Sequence, residues 1–325
     1  MLRRGFTRLI RPALLGAAAS PRVEHTVTSM RATRALVDRF VAGTTETDAL
    51  TAATALLTSG RWITVDHLGE YTTDLGQARD TVEHYLRLIA VLAELPAARE
   101  PGNVRPLEVS MKLSALGQAL PGDGDRIALD HAREICASAT DTGIAVTVDA
   151  EDHTTTDSTL AIVRELRAEF PSVGTVLQAY LKRTEADCRE FAGPGSRIRL
   201  CKGAYREPAS VAFQRPAEVD DSYLRCLRVL MSGSGYPMVA THDPAMIAAA
   251  GRYAEETQRG PSDFEFQMLF GIREAEQSRL AAAGHRMRVY VPYGDQWYGY
   301  FMRRLAERPA NLTFFLRALA GRERT

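Results

Sequence analysis

The pattern of apolar and polar positions changes near residue 60. Residues 1–60 contain no run with the two-residue alternation of a strand and read as helical. Within them 52–57 is rich in strong helix formers and follows Thr45 and Thr47, residue types that suit a helix start. Beyond Ser59-Gly60, short β-branched runs alternate with longer amphipathic stretches. Eight runs read as strands: 62–67, 107–113, 144–150, 175–180, 197–201, 237–241, 264–268 and 288–291. Helix-like stretches follow them at 78–95, 126–140, 158–169, 185–191, 220–232, 244–256, 273–283 and 296–306. Strands alternating with helices predict a parallel sheet, and eight repeats in about 250 residues are the size of a closed βα barrel. The expected fold is therefore α/β, a (βα)8 TIM-type barrel over 61–325 with an N-terminal helical arm over 1–60. The alternative is an open doubly wound sheet. Its best phosphate-binding candidate, Gly193-Pro-Gly195, lacks a third glycine and precedes a strand instead of following one.

Polar residues gather where a barrel keeps its chemistry, at the C-terminal ends of the strands. The second run ends near Lys112 and the third at Asp149; the fourth contains Gln178, and the fifth holds Arg199 and is followed by Lys202. The sixth closes on Thr241-His242-Asp243, the seventh holds Gln267, and the eighth holds Tyr290. Each has an ordinary structural reading. Lys112 reads equally as a solvated lysine, Asp149 as a loop cap, and His242 as a satisfied structural histidine. Arg199, flanked by Ile198 and Leu200, is different, because a cation inside a strand needs a partner. Lys202-Gly203-Ala204 directly after a strand allows close backbone approach to a large cofactor.

The last helix-like stretch places Tyr300, Arg303, Arg304 and Glu307 on one face. Two adjacent guanidinium forks suit a carboxylate ligand; a solvated basic face balanced by Glu307 is the competing reading. Tyr290, Tyr293, Tyr298 and Tyr300 nearby offer flat walls and hydroxyls for a small ring.

Composition narrows the class. With 40 Lys plus Arg against 40 Asp plus Glu, the chain has no net charge to draw it to nucleic acid. Four scattered cysteines show no Cys-x-x-Cys pair, and no His/Glu pattern has metal-ligand spacing, so a reducing, cytoplasmic setting is expected. No apolar run is long enough to span a bilayer. The first 20 residues carry four arginines and no acid, which suits either a basic helix of the folded protein or a targeting or membrane-surface segment.

Seven segments together resemble the ordered motifs of proline dehydrogenase, in its short monofunctional bacterial form. They are VSMKLSALG (109–117), VDAED (148–152), LQAYLKRTEAD (177–187), RLCKGAYREP (199–208), ATHDP (240–244), FEFQMLFG (264–271) and VYVPYGDQWYGYFMRRLAERPAN (289–311). The resemblance implies an FAD-dependent oxidation of L-proline to 1-pyrroline-5-carboxylate, with electrons passing to a membrane quinone. That acceptor implies peripheral contact with the cytoplasmic face of the inner membrane. By the same resemblance Arg303, Arg304 and Lys112 clamp the substrate carboxylate, and Tyr290, Tyr300 and Leu269 wall its ring. Asp149 and Arg199 belong to the catalytic set. Gln178, Arg199, Lys202, Gly203, Ala204, Thr241 and His242, with backbone near Ala150, match flavin-contacting positions. Glu307 matches a site position without an assigned partner, and Arg206 stands where some relatives carry an aromatic residue. From outside the family, a lyase forming a Schiff base on Lys112 or Lys202 competes with this reading, as does a non-catalytic proline sensor. Within the family, a hydroxyproline dehydrogenase does.

Overall fold

A computed structural model describes residues 37–307 except Pro101 and Asn103, with side chains in the last helix described as far as Arg304. Eight parallel strands close into a barrel in sequence order. They are β1 (Trp62–His67), β2 (Leu107–Met111), β3 (Ala145–Val148), β4 (Gly174–Gln178), β5 (Arg197–Cys201), β6 (Tyr236–Ala240), β7 (Glu265–Leu269) and β8 (Met287–Tyr293). Closure is made by β1 against β8, in register from Trp62 opposite Arg288 to His67 opposite Tyr293. The expected strands all form, with ends shifted by up to two residues. Lys112 and Asp149 therefore lie just past the ends of β2 and β3, in the connections above the rim.

Helix α1 (Glu46–Thr58) precedes the barrel, and α2 (Leu75–Ala93), α3 (Gly124–Thr142), α4 (Thr156–Glu169), α5 (Thr184–Phe191), α6 (Pro216–Ser232), α7 (Pro244–Glu256) and α8 (Glu274–Ala282) surround it. The first helix begins where local chemistry directs. Thr45 accepts from the amide of Asp48 at 3.2 Å, and Asp48 returns a bond to the amide of Thr45 at 3.0 Å. Thr47, the second candidate cap, lies inside the helix, where its carbonyl accepts from Thr51. Asp243 caps α7 with Pro244 at the first helical position, which needs no amide. The rest of the N-terminal arm, residues 1–36, lies outside the described residues.

Outward-facing strand residues such as Ile63, Val65, Val109, Met111, Val289 and Val291 are fully buried beneath the helices. The barrel interior is a lattice of charges instead of the usual branched aliphatic layers. Glu108 of β2 reaches across to Arg197 and to Arg199 of β5 (2.7 Å), and accepts from Thr64 of β1 at 2.6 Å. Arg288 of β8 grips Glu265 of β7 through two bonds of 2.6 and 3.1 Å and donates to the carbonyls of Ile63 and Arg105. Burial alone would push the Glu108 carboxyl up. Arg197, Arg288 and Arg199 outweigh it and hold the group well below the usual carboxylate range.

The last helix, α9 (Trp297–Glu307), lies over the C-terminal ends of the strands. Tyr298, Tyr300, Phe301 and Met302 pack with Leu68, which follows β1, and Ile272, which follows β7. Leu269, at the end of β7, packs against the same cluster. This anchoring sets the polar edge of α9 above the barrel mouth.

Candidate active site

Arg303 and Arg304 do not form a solvated basic face. Arg304 is 8% exposed, with its guanidinium over the Tyr300 ring at 4.9 Å. Arg303 forks onto Glu70 of the β1–α2 connection, at 2.5 and 3.2 Å, and lies 5.4 Å from the Tyr205 ring centroid. Burial works against the Arg303 charge, but Glu70 and Tyr205 outweigh it and hold the group above its ordinary value. The side chain of Glu307 lies outside the described residues, and the carboxylate that Arg303 meets comes from Glu70.

Lys112 is likewise no solvated end-of-strand lysine. It is 7% exposed, its ammonium sits 2.8 Å from both oxygens of Asp66, and Asp149 lies 3.7 Å away. Asp66 is fully buried, and burial pushes its carboxyl up to about 6 even against the pull of Lys112. Burial opposes the Lys112 charge too, yet Asp66 and Asp149 together raise it above the ordinary lysine value.

Asp149 joins the rim to the interior. Its Oδ2 accepts from the Tyr290 hydroxyl at 2.7 Å, and its Oδ1 accepts from Arg199 and Ser110, each at 2.7 Å. Arg199 also donates to Gln267 at 2.6 Å and to Glu108 at 2.7 Å, and lies 5.2 Å from the Tyr290 ring centroid. The cation that had to be partnered has partners on β2 and β7 and on the β3–α4 connection. Its orientation, and that of Tyr290, are thereby fixed.

A second group of expected residues lines the ends of β4, β5 and β6. Gln178 donates to the carbonyl of Glu151 at 3.1 Å, just beyond Ala150. Lys202 is held between Asp220 (2.5 Å) and Asp243 (2.8 Å). Gly203 has φ of +101°, and a Cβ there would lie 2.3 Å from the Tyr180 ring. Glycine is thus required by backbone and packing alike, and Ala204 continues the same loop. Thr241 accepts from the amide of Asp243 at 3.1 Å. His242 accepts on Nε2 from the amide of Leu269 at 2.9 Å, so its neutral ring carries the proton on Nδ1.

The structure thus gathers Lys112, Asp149, Arg199, Leu269, Tyr290, Tyr300, Arg303 and Arg304 at the mouth, with Gln178, Lys202, Gly203, Thr241 and His242 along one side. The sequence reading missed Asp66, Glu70, Glu108 and Tyr205. Asp66 and Glu108 could have been found, because each stands two residues from an inward polar position, Thr64 and Ser110, on the same strand face. Glu70 leaves no such signal, since its partner is 233 residues away.

The profile of the proline dehydrogenase family matches residues 49–317. Proline dehydrogenase 1 of Bacillus subtilis (strain 168) is 40% identical over 287 residues, covering 88% of this chain and 91% of that one. Proline dehydrogenase of Deinococcus radiodurans is 38% identical over 314 residues, covering 96% and 98%. Among solved structures, proline utilization A (PutA) from Bdellovibrio bacteriovorus, inactivated by N-propargylglycine, superposes with a TM-score of 0.75 at 28% identity. That match covers 84% of this chain but only 32% of the PutA chain, so the likeness concerns about a third of that larger protein. Profile, full-length relatives and barrel agree, and the chain belongs to the proline dehydrogenase family.

Proposed function

We propose that this protein oxidises L-proline at the C-terminal mouth of its barrel, using FAD bound along the ends of β4, β5 and β6. Family membership gives the reaction, proline to 1-pyrroline-5-carboxylate. The observation that carries the site assignment is the burial of Arg303 and Arg304 over that mouth, with a carboxylate already forked on Arg303. Proline is a small zwitterion, so its carboxylate is its main handle. Arg303, Arg304 and Lys112 anchor it, while Tyr290, Tyr300 and Leu269 wall the ring. This is catalysis by positioning, with little acid–base work.

The donor set suits a flavin. Gln178, Thr241 and His242 offer side-chain hydrogen bonds, the backbone of Ala150, Gly203 and Ala204 permits close approach, and Arg199 and Lys202 favour an electron-rich ring. Bound flavin supplies the two-electron acceptor. Asp149 holds Arg199 and Tyr290 at the reacting face. The tie from Tyr290 to Asp149 also keeps a phenol in the space that a ring hydroxyl would need, which favours proline over 4-hydroxyproline. The Schiff-base alternative fares poorly: Lys112 and Lys202 are each tied to carboxylates, and a nucleophilic amine must be unprotonated.

Anaerobic addition of L-proline should bleach a yellow flavin spectrum. Arg303→Ala or Arg304→Ala should weaken proline binding by about 2–5 kcal/mol, the range for removing one partner of a buried charge pair. Wild-type proline affinity in both variants refutes the clamp, and faster turnover of 4-hydroxyproline refutes the substrate. N-Propargylglycine, which inactivated the Bdellovibrio protein, should inactivate this one.

The natural acceptor we infer is a membrane quinone, met by peripheral contact from a cytoplasmic protein. No helix among the described residues is long and apolar enough to cross a membrane. The contact is assigned to the basic first 20 residues of the 1–60 arm, leaving 61–325 as the catalytic barrel. Removing residues 1–20 should reduce co-sedimentation with anionic vesicles, and undiminished binding removes that assignment.

A further inference from the structure

Behind Glu70 stands a polar cluster that the reaction does not use directly. Ser114, which follows β2, is 1% exposed, and Glu151, which follows β3, is 4% exposed. Ser114 donates both its amide (3.1 Å) and its hydroxyl (2.5 Å) to the two oxygens of Glu151. Its donor role thus filled, the Ser114 hydroxyl accepts from the amide of Tyr71 at 3.1 Å. The Ser114 carbonyl accepts twice more from the same loop, from the amide and hydroxyl of Thr72 at 3.2 and 3.0 Å. A second tether comes from the next residue of the β3–α4 connection: Asp152 accepts from the Tyr71 hydroxyl at 3.1 Å.

These bonds hold Tyr71 in the left-handed region, at φ of +55°, which a bulky residue seldom adopts unless its surroundings enforce it. Tyr71 immediately follows Glu70, and a backbone held so tightly at one residue aims the side chain of its neighbour. Glu70 in turn orients Arg303.

We propose that Ser114, gripped by Glu151, is the positioning residue that sets Glu70 and through it the Arg303 fork, with the Tyr71–Asp152 bond as a second anchor. The proposal rests on the reading of Arg303 as part of the carboxylate clamp. Its effect belongs in substrate affinity and not in turnover, since no member of the cluster meets the reacting atoms.

The geometry also has a proton dependence. The groups facing Glu151 are Ser114 and Lys112 from the β2–α3 connection, Glu70 and Tyr71 from the β1–α2 connection, and Tyr205 from the β5–α6 connection. Burial, the largest influence, with repulsion from Glu70, pushes the Glu151 carboxyl up to about 7; the Ser114 bonds and Lys112 oppose this. Ionised Glu151 accepts the hydrogen bond from the Ser114 hydroxyl and leaves an oxygen lone pair for the amide of Tyr71. A protonated carboxyl, or an amide in its place, offers a competing donor to the same hydroxyl.

The test is steady-state oxidation of L-proline by the flavin-loaded full chain across pH 6 to 9, with a dye as acceptor. Ser114→Ala should raise KM for proline about tenfold, the effect of losing a hydrogen bond to a charged group, with kcat within about twofold. Tyr71→Phe should raise KM by about fivefold or less, since it loses only the partly exposed bond to Asp152. Wild type and Tyr71→Phe should show a step in 1/KM near pH 7 that Glu151→Gln lacks. Unchanged or lower KM in Ser114→Ala, or superimposable pH profiles for wild type and Glu151→Gln, overturns the proposal. Should Ser114→Ala not fold, the other two variants decide. Arg303→Ala separates the two readings: if it leaves KM unchanged the clamp itself is wrong, whereas raised KM in Arg303→Ala alone removes only the positioning role.

Discussion

Replacing Lys112 by methionine tests the electrostatic account of the mouth, because the outcome should depend on pH in a calculable way. Methionine keeps most of the buried stem and removes the ammonium. What remains is Asp66, fully buried, with its counter-charge gone. Such a carboxyl escapes by taking a proton. Protonating an ordinary aspartic acid, which titrates at 3.8, costs about 4 kcal/mol at pH 7 and about 1.6 kcal/mol at pH 5. In the wild type the same carboxyl already titrates near 6, so much of this cost is present before the substitution. Urea unfolding of wild type and Lys112→Met, run at both pH values, should therefore show a stability loss that shrinks by about 1–1.5 kcal/mol on going from pH 7 to pH 5. Asp66→Asn is the control of opposite sign. It strands the ammonium, whose neutralisation becomes harder as pH falls, so its loss should not shrink toward pH 5. Losses for Lys112→Met that agree at the two pH values within about 0.5 kcal/mol would mean that packing, not charge, is what Lys112 contributes, and would refute the reasoning.

Two further outcomes follow from the same geometry. Gly203→Ala forces a Cβ to within 2.3 Å of the Tyr180 ring at φ of +101°, so flavin retention after gel filtration should drop, and Tyr180→Leu in the same chain should recover part of it; full retention in the single variant counts against the loop's role. Glu151 has an ordinary value of 4.5 raised to about 7, so its stabilising contribution is present below about pH 4.5 and lost as pH rises through about 7; in urea unfolding Glu151→Gln should exceed wild type in stability by no more than about 1 kcal/mol near pH 5 and by up to about 3 kcal/mol at pH 8.

The barrel was legible because each strand run is short, β-branched and bounded by turn residues, and because nothing inside the runs contradicts the period. Ends are less so: the pattern runs 107–113 and 144–150 on as continuous strands, whereas the strands stop at Met111 and Val148 and Lys112 and Asp149 follow in the connections. The paired arginines were visible from helical spacing alone, yet their depth was not, since the cluster of Leu68, Ile272 and Phe301 that seats α9 joins three distant segments. Looking only at strand ends hid the interior. Glu108, Glu265 and Arg288 sit at the first or second residue of their strands, where a charge reads as solvated. The period-two face that carries Ser110 and Lys112 leads backward to Glu108 just as directly.

That interior bears on how the mouth works. Arg197, Glu108, Arg199, Asp149 and Tyr290 form one unbroken chain of charged or hydrogen-bonded contacts from near the floor of the barrel to its rim. Buried ions are a poor way to gain stability, because hydrophobic replacements of the same shape often do as well or better. Their advantage here is directional: an arginine with every edge committed cannot turn, and a tyrosine tied to the same carboxylate cannot either. The two layers also differ in their response to protons. Glu108 is held well below the usual carboxylate range by three guanidinium groups, so it keeps its charge far into acid. Asp66 near 6 and Glu151 near 7 lie in the working range. Sensitivity to pH therefore resides in the groups that aim Lys112 and, through Glu70, Arg303 at the substrate, while Glu108 stays ionised beneath Arg199.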